Sequence, residues 1–442
     1  MSDRGFNLAD LFEVVVDEAG DRPAVVADAM TGAPARDARP EDRVFRAEAR
    51  EWLAAHAEPR RGEGDWSNGP RDHSEDAERE YFDRCRAWQR TLYDGGWAGI
   101  SWPVEYGGRG GTPWQAVIFG QEQARFDVTA GFLASTIGMV GPVLMAHGTD
   151  EQRARFLGPL LRGDEAWCQL FSEPDAGSDL ANLATRAERD GDEFVVNGQK
   201  VWTSSAHRCD WAILLARTNP DAPKHRGITF LLLDLRTPGV DIRPLRQITG
   251  TAHFNEVFLS DVRVPVGNVV GDVDRGWEPA RRVLGHEAGV IGGAHAADGA
   301  GAVIDLARSV GRADAPPVRQ RLARAYTRER VLDHLRIRVL ESVRDGQRSA
   351  LDGSVLKVLW SEARAERAGT AVDLLGPAGA LYGGDAPRAG HWQVQLLNRF
   401  WGTIGGGTSE VHRTMIGERV LGLPPEPRVD RDVPWRPDRS RT

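Results

Sequence analysis

The stretch from Cys168 to Ser205 holds the densest set of residues that could do chemistry. Ser172-Glu173-Pro174-Asp175-Ala176-Gly177-Ser178-Asp179 is a run of small and polar residues and reads as a tight turn offering short donors. Beyond it Glu193-Phe194-Val195-Val196 alternates, Asn197-Gly198 follows, and Lys200-Val201-Trp202 resumes the β-rich pattern. An Asn-Gly pair between two such runs predicts a β-hairpin with Trp202 on the returning strand. The turn and the indole would then face one another across a planar ligand. A second segment, Gly405-Gly406-Gly407-Thr408-Ser409-Glu410-Val411-His412-Arg413, is a glycine run entering a helix. Free N–H groups at such a point suit a phosphate or a close-packed cofactor.

Three kinds of sequence must position these segments. From Asp42 to Leu161 the apolar period is helical: Val44, Ala47, Trp52 and Leu53 mark one helix, and Tyr81, Phe82, Cys85, Trp88 and Leu92 the next, capped at Gly95-Gly96. A glycine-rich connector, Trp97 to Gly111, precedes three further helices over 115–125, 131–147 and 151–161. From about Trp167 to Val273, β-branched and apolar runs alternate with turns every ~8–15 residues, as in a compact antiparallel β domain. Ile228 to Leu233 is the most buried candidate strand. After Trp277 the helical period returns over 277–307, 317–344, 354–375 and 408–421. Helices, then strands, then helices define an α+β class with segregated layers. The boundaries read as a leader and linker over 1–40, a helical domain over 41–165, a β domain over 166–275, a second helical domain over 276–423, and a charged, proline-rich tail over 424–442 that is disordered or draped on the surface.

Bulk composition excludes several classes. At 442 residues, with 41% hydrophobic and 27% charged residues, the chain is an ordinary globular one of two or three domains. A net charge of -8 argues against nucleic acid. No apolar run reaches the ~18–20 residues of a membrane span. Cys85, Cys168 and Cys209 share no metal-ligand spacing, which fits a reducing cytoplasm. All but three of the 56 basic residues are arginine; the exceptions are Lys200, Lys224 and Lys357. That reads first as a GC-rich coding bias.

From about Asp42 to Pro424 the chain resembles the acyl-CoA dehydrogenase family, most clearly in the two segments quoted first. The resemblance implies FAD as cofactor. It places Phe171, Ser172, Gly177 and Ser178 along the ring and pyrophosphate, stacks Trp202 near the flavin, aims Ser204 at N5, and adds Thr408 and Glu410 to the cofactor-binding set. An isoalloxazine needs an apolar or aromatic face and a few hydrogen bonds that tune its electron affinity. The usual base in the family is a glutamate before Gly-Thr-Ser, and the matching residue here is Gly406. Some members carry the base on the first helix after the β domain. There Glu287 stands in the matching place, beside His286 and shortly before Gly292-Gly293. A carboxylate buried beside a flavin has its pKa raised toward neutrality, as a general base needs.

The resemblance therefore implies an oxidoreductase of lipid metabolism that desaturates an acyl-CoA between Cα and Cβ. Glu287 would take the α-proton and N5 the β-hydride, while the flavin ribityl hydroxyl and a backbone N–H polarise the thioester oxygen. An electron-transfer flavoprotein would take the electrons from a homodimer, a homotetramer or a hetero-oligomer with a sister subunit. In the adenine half the pattern departs. Arg308-Ser309-Val310-Gly311-Arg312 lacks the family's Phe-Gly, and Asp373 stands where a glutamine is usual, so other arginines or a partner subunit must serve. Two rival readings follow: a non-catalytic or half-site subunit, and a flavin-dependent monooxygenase on the same fold. Residues 7–27, with Leu8, Leu11, Phe12 and Val15 at helical spacing, resemble the opening of AMP-forming acyl-CoA ligases.

Overall fold

Side-chain caps fix where the first helices begin. Ser74 accepts from Ala77 N–H, and Thr112 with Gln115 and Thr149 with Gln152 form reciprocal capping boxes. The computed structural model describes residues 39–62, 65–70, 74–293, 299–346, 353–427 and 432–435, with the side chains of 286–293 outside that description. The ligase-like opening lies outside the described residues. Two units emerge, one of residues 44–287 with 425–442 and one of residues 1–43 with 288–424.

The first unit holds α1 (Pro40–His56, which begins in the other unit), α2 (Glu75–Asp94), α3 (Pro113–Gln123), α4 (Phe132–His147) and α5 (Asp150–Arg162). Gly96, at φ +72°, ends α2 at the predicted glycine pair. In the connector, Trp102 is buried against α4, where a Cβ on Gly141 would lie 2.1 Å from its ring; only glycine admits that approach. Gln152 caps α5 and also donates to the carbonyls of Gly267 and Val269 at 2.8 Å, so one side chain starts the helix and ties it to the β region. Phe156 of α5 meets Trp167 and Trp211 edge-on at 5.4 and 4.9 Å, and this aromatic wedge joins helices to sheet.

Between α1 and α3 lies a buried charge cluster. Glu122 accepts from Arg46 and Arg50, each at 2.9 Å. Burial pushes its carboxyl up, but the bonds and charges of Arg50 and Arg46 outweigh that and bring it down to about 2. Because the folded value lies below the ordinary 4.5, the cluster stabilises the fold above pH 4.5 and loses that contribution as pH falls toward about 2. Urea midpoints measured across this window should drop for the unaltered chain and change less for Glu122→Gln, which starts lower. Parallel curves for the two would sink the assignment.

Seven strands follow: β1 (Trp167–Leu170), β2 (Arg186–Asp190), β3 (Glu193–Ser204), β4 (Trp211–Arg217), β5 (Ile228–Asp234), β6 (Val240–Leu245) and β7 (Phe254–Pro265). They form one sheet in the order β1-β4-β2-β3-β7-β6, with β5 on β4. The ladders are antiparallel except for β1 on β4 and a single bridge from β2 to β4, which are parallel. Ile228 to Leu233 is buried at every position, as its unbroken apolar run predicts. Leu170, Val196, Leu214, Leu231, Val257 and Val262 are among the fully buried residues at the centre of this core.

The predicted hairpin at Asn197-Gly198 is corrected here. β3 runs without a turn from Glu193 to Ser204, so Trp202 lies further along the same strand, not on a returning one. The turn sits upstream, where Gly191 at φ +63° joins β2 to β3 with Asp190 opposite Glu193. Tertiary contacts explain why Asn-Gly occupies mid-strand. Asn197 Nδ2 donates to Asp261 at 3.0 Å and its Oδ1 accepts Asp261 N–H at 2.9 Å, at a bulge opposite β7. A Cβ on Gly198 would lie 2.8 Å from the Thr185 Cα.

α6 (Trp277–Gly293) begins in the first unit and ends in the second. The second unit continues with α7 (Ala300–Ser309), α8 (Pro316–Arg344), α9 (Gly353–Leu375), α10 (His391–Leu397), α11 (Arg399–Ile404) and α12 (Ser409–Met415). The helical period over 277–307 thus divides into two helices. α9 is buried on most sides, from Leu356 and Trp360 to Ala371 and Leu374, and α7 and α8 supply Val303, Ala307, Leu322 and Leu332 to the cores around it. Of the tail, the described residues 432–435 belong to the first unit, where Trp435 is buried.

Candidate functional site

The 172–179 turn is braced from beneath by a buried ion pair. β1 ends at Leu170, and Phe171 is buried edge-on to Phe230 at 6.0 Å. Glu173 and Ala176 exchange backbone hydrogen bonds of 3.1 Å, which closes the turn and leaves Gly177 and Ser178 exposed. The Glu173 carboxylate points inward and accepts from Lys200 Nζ at 2.8 Å, Thr185 N–H at 2.9 Å and Ala184 N–H at 2.6 Å. Lys200 is 0% exposed and also donates to Phe171 O at 3.0 Å. Burial raises the Glu173 carboxyl, but the Lys200 charge and these hydrogen bonds hold it below its usual range. Burial draws the Lys200 ammonium below its usual range, and the Glu173 carboxylate in contact offsets part of that.

Lys200 belongs to β3, so the same residue that anchors the turn anchors the strand bearing the indole. Val201 N–H donates to Ser172 O at 2.9 Å, which sets the turn beside the next residue, Trp202. Between Lys200 and Thr203 the register against β7 shifts, and Trp202 takes φ +63°, rare for a bulky residue. The bulge leaves Trp202 61% exposed, edge-on to Phe254 at 5.9 Å. Trp202 and Ser204 alternate with buried Val201 and Thr203 and so share one outward face. The hydroxyls of Ser172 and Ser204 have no hydrogen-bond partner among the described residues. An aromatic face held outward in a strained conformation, with the unused Ser204 hydroxyl two residues on and Ser172 hydrogen-bonded to the preceding Val201, is an arrangement that marks a ligand surface.

Thr408 and Glu410 fall in the other unit. Thr408 Oγ accepts Val411 N–H at 3.2 Å and caps α12; Glu410 is exposed, its carboxyl lowered by a backbone N–H and by Thr408. Gly406 and Gly407 have φ +64° and +97°, where a side chain is strained. The carbonyl of Gly406 contacts His412 Nε2 at 2.8 Å, and that of Gly407 accepts from the buried Lys357. Asp373 is paired with Arg321 at 2.9 Å, and Arg312 donates to its carbonyl at 2.8 Å. Glu287 and His286 lie on α6, and their side chains fall outside the described residues.

Sequence reasoning passed over Glu173, Lys200, Lys357 and Arg217, although a signal was present. In a chain that uses arginine almost throughout, each of the three lysines has a specific job. Lys200 and Lys357 are 0% exposed on backbone carbonyls, and Lys224 holds both Asp179 oxygens at 3.0 and 3.1 Å.

A mixed sheet with helices before and after it thus carries an exposed aromatic and two hydroxyls at one end of β3. Family models for the acyl-CoA dehydrogenase N-terminal, middle and C-terminal domains match residues 39–164, 168–262 and 274–421. The chain belongs to the acyl-CoA dehydrogenase family, oxidoreductases that act on CH–CH bonds and bind FAD. It is 40% identical over 387 residues to acyl-CoA dehydrogenase IpdE1 of Mycobacterium tuberculosis, covering 86% of this chain and 98% of that one. It is 40% identical over 342 residues to FadE34 of the same organism, covering 76% of this chain and 46% of that one. Among solved structures it resembles the Tcur3481-Tcur3483 steroid ACAD, with TM-score 0.70, 31% identity, and 88% and 99% of the two chains covered. The ChsE4-ChsE5 complex from M. tuberculosis is similar, with TM-score 0.67, 32% identity, and 87% and 98% covered.

Proposed function

We propose that this chain binds FAD on the β3 face and oxidises an acyl-CoA thioester between Cα and Cβ. The observation that carries the reading is the outward Trp202 indole beside the unpartnered hydroxyls of Ser172 and Ser204, braced from below by Lys200 and Glu173. These groups match what an isoalloxazine needs: one aromatic face and a few donors. Phe171, Ser172, Gly177, Ser178, Trp202 and Ser204 would hold the flavin, and Thr408 and Glu410 would complete the set. When bound, FAD supplies the acceptor for the β-hydride. The chain's own contribution is Glu287, which takes the α-proton, and the turn and strand that hold the reacting groups in register. Likeness to a structure named steroid ACAD supports a steroid-derived acyl chain.

A second reading has its own observation. Gly406 carries no side chain, and Asp373, neutralised by Arg321, offers a pyrophosphate no attraction. Both favour a half-site subunit completed by a sister chain. Phe400, Trp401, Ile404, Leu421 and Leu423 are exposed in the second unit and fit a subunit interface. The described helices include none long and apolar enough to cross a membrane, and electrons would leave to an electron-transfer flavoprotein.

Anaerobic addition of a steroid-side-chain acyl-CoA to the FAD-bound protein should bleach the oxidised flavin absorbance within seconds. A yellow protein whose spectrum no medium-chain, long-chain or steroid-type acyl-CoA alters would sink the dehydrogenase reading. A colourless protein that gains flavin only when co-expressed with a homologous chain would select the half-site reading.

A further inference from the structure

The last described residues lie beyond the family-matched region, which ends at residue 421, and yet they are built into the β unit. Trp435 is only 9% exposed. Its indole lies over the Arg217 guanidinium at 4.5 Å, its Nε1–H donates to Asn182 Oδ1 at 2.9 Å, and its backbone N–H donates to Ala222 O at 2.8 Å. Pro434 bridges Pro223 beside it. A stretch of four residues thus touches three separate parts of the unit: the turn after Asp179, the end of β4, and the β4–β5 loop.

Arg217 is what those contacts share. It is 3% exposed and donates to Lys224 O and Ala181 O at 2.7 Å and to Leu183 O at 3.3 Å. Its own N–H reaches Thr185 O at 2.6 Å. Burial brings its pKa down to about 10. A buried guanidinium bonded only to carbonyls gains from an aromatic face, and the Trp435 indole supplies one. The loop and the turn are joined a second time by Lys224 on Asp179.

We propose that Trp435 is a positioning residue. By covering Arg217 and bonding Asn182 and Ala222, the C-terminal segment straps the 177–183 turn to the β4–β5 loop. It thereby sets how firmly the turn carrying Gly177 and Ser178 is held for its ligand. The last step rests on the proposed function, in which that turn lines the flavin site.

Hydrogen–deuterium exchange on the FAD-free full chain tests the strap without any ligand. Trp435→Ala removes a buried cation–π contact and a hydrogen bond, so exchange at Leu183, Thr185 and the 218–227 loop should quicken about tenfold. Residues of β5, held by the sheet core, should keep their rates. Trp435→Phe keeps a ring over Arg217 and loses only the Asn182 bond, so its effect should be smaller. Trp435→Ala should also weaken FAD binding several-fold in a titration of the FAD-free chain, and leave kcat of the FAD-saturated protein within about twofold. Unchanged exchange overturns the strap, and faster exchange with unchanged FAD affinity overturns the positioning role. Failure of the function reading appears separately, as absence of bleaching in the unaltered chain.

Discussion

Lys200→Met should destabilise the chain by about 3–5 kcal/mol, the usual cost of stranding a buried charge. The methionine fits the volume but leaves the Glu173 carboxylate facing only the N–H groups of Ala184 and Thr185. It also strips the Phe171 carbonyl of its donor. Because Phe171 and Ser172 begin the turn and Val201 and Trp202 follow Lys200, the loss acts on both halves of the flavin face at once. Flavin content should fall with stability, although Lys200 would touch no flavin atom. Glu173→Gln combined with Lys200→Met should recover only part of the loss. A neutral amide can accept one of the two backbone N–H groups, but its NH2 then confronts the other. Urea unfolding with far-UV circular dichroism gives the stability, and absorbance near 450 nm gives the flavin content. A loss below about 1 kcal/mol would mean the pair is solvated and the turn is braced by something else.

The layering was legible because helical and strand periods differ so sharply along this chain. The apolar run Ile228–Leu233 is one example, and the alternation through Glu193, Phe194, Val195 and Val196 is another. Strand connectivity was less so. Asn197-Gly198 has turn chemistry, but Gly198 is required by the approach of Thr185 and Asn197 by its bonds to Asp261, both set by tertiary structure. The true turn carried an equally good signal, Asp190-Gly191, seven residues upstream. The outward groups, Ser172, Trp202 and Ser204, could be named from the family resemblance of their two segments. The groups that hold them could not, because a buried Lys–Glu pair looks in sequence like two surface charges. Scarcity was the available sign: a lysine in an arginine-using chain marks a place where shape and point charge matter more than charge alone. The tail read as disordered or draped, and its docking point was not legible, since Pro434-Trp435 becomes meaningful only once Arg217 is known to lie buried beneath it.

Glu287→Gln should lower kcat by about 10²- to 10⁴-fold, the range a positioned general base contributes, with flavin content and urea midpoint unchanged. Glu287 is carried by α6. Gly276 N–H donates to Ile228 O at 2.7 Å, and Trp277 packs edge-on to His225 at 5.0 Å, so the helix starts from the β5 end of the sheet. Position 287 lies ten residues on from Trp277, about 15 Å along the helix axis. The amide is isosteric with the carboxylate and cannot take a proton, so it separates proton transfer from binding: KM and the FAD spectrum should hold while substrate bleaching disappears. The pH–rate profile is the sharper reading. If Glu287 is the base, the acidic limb of kcat/KM belongs to its deprotonation and should vanish in the variant along with most of the rate. Were bleaching to persist at full rate, no base on this chain would remain in the family's pattern, because Gly406 has no side chain and, at φ +64°, strains any that is introduced. The proton would then have to be taken by a group from a sister chain. The same substitution therefore decides between a complete active site and a half-site subunit.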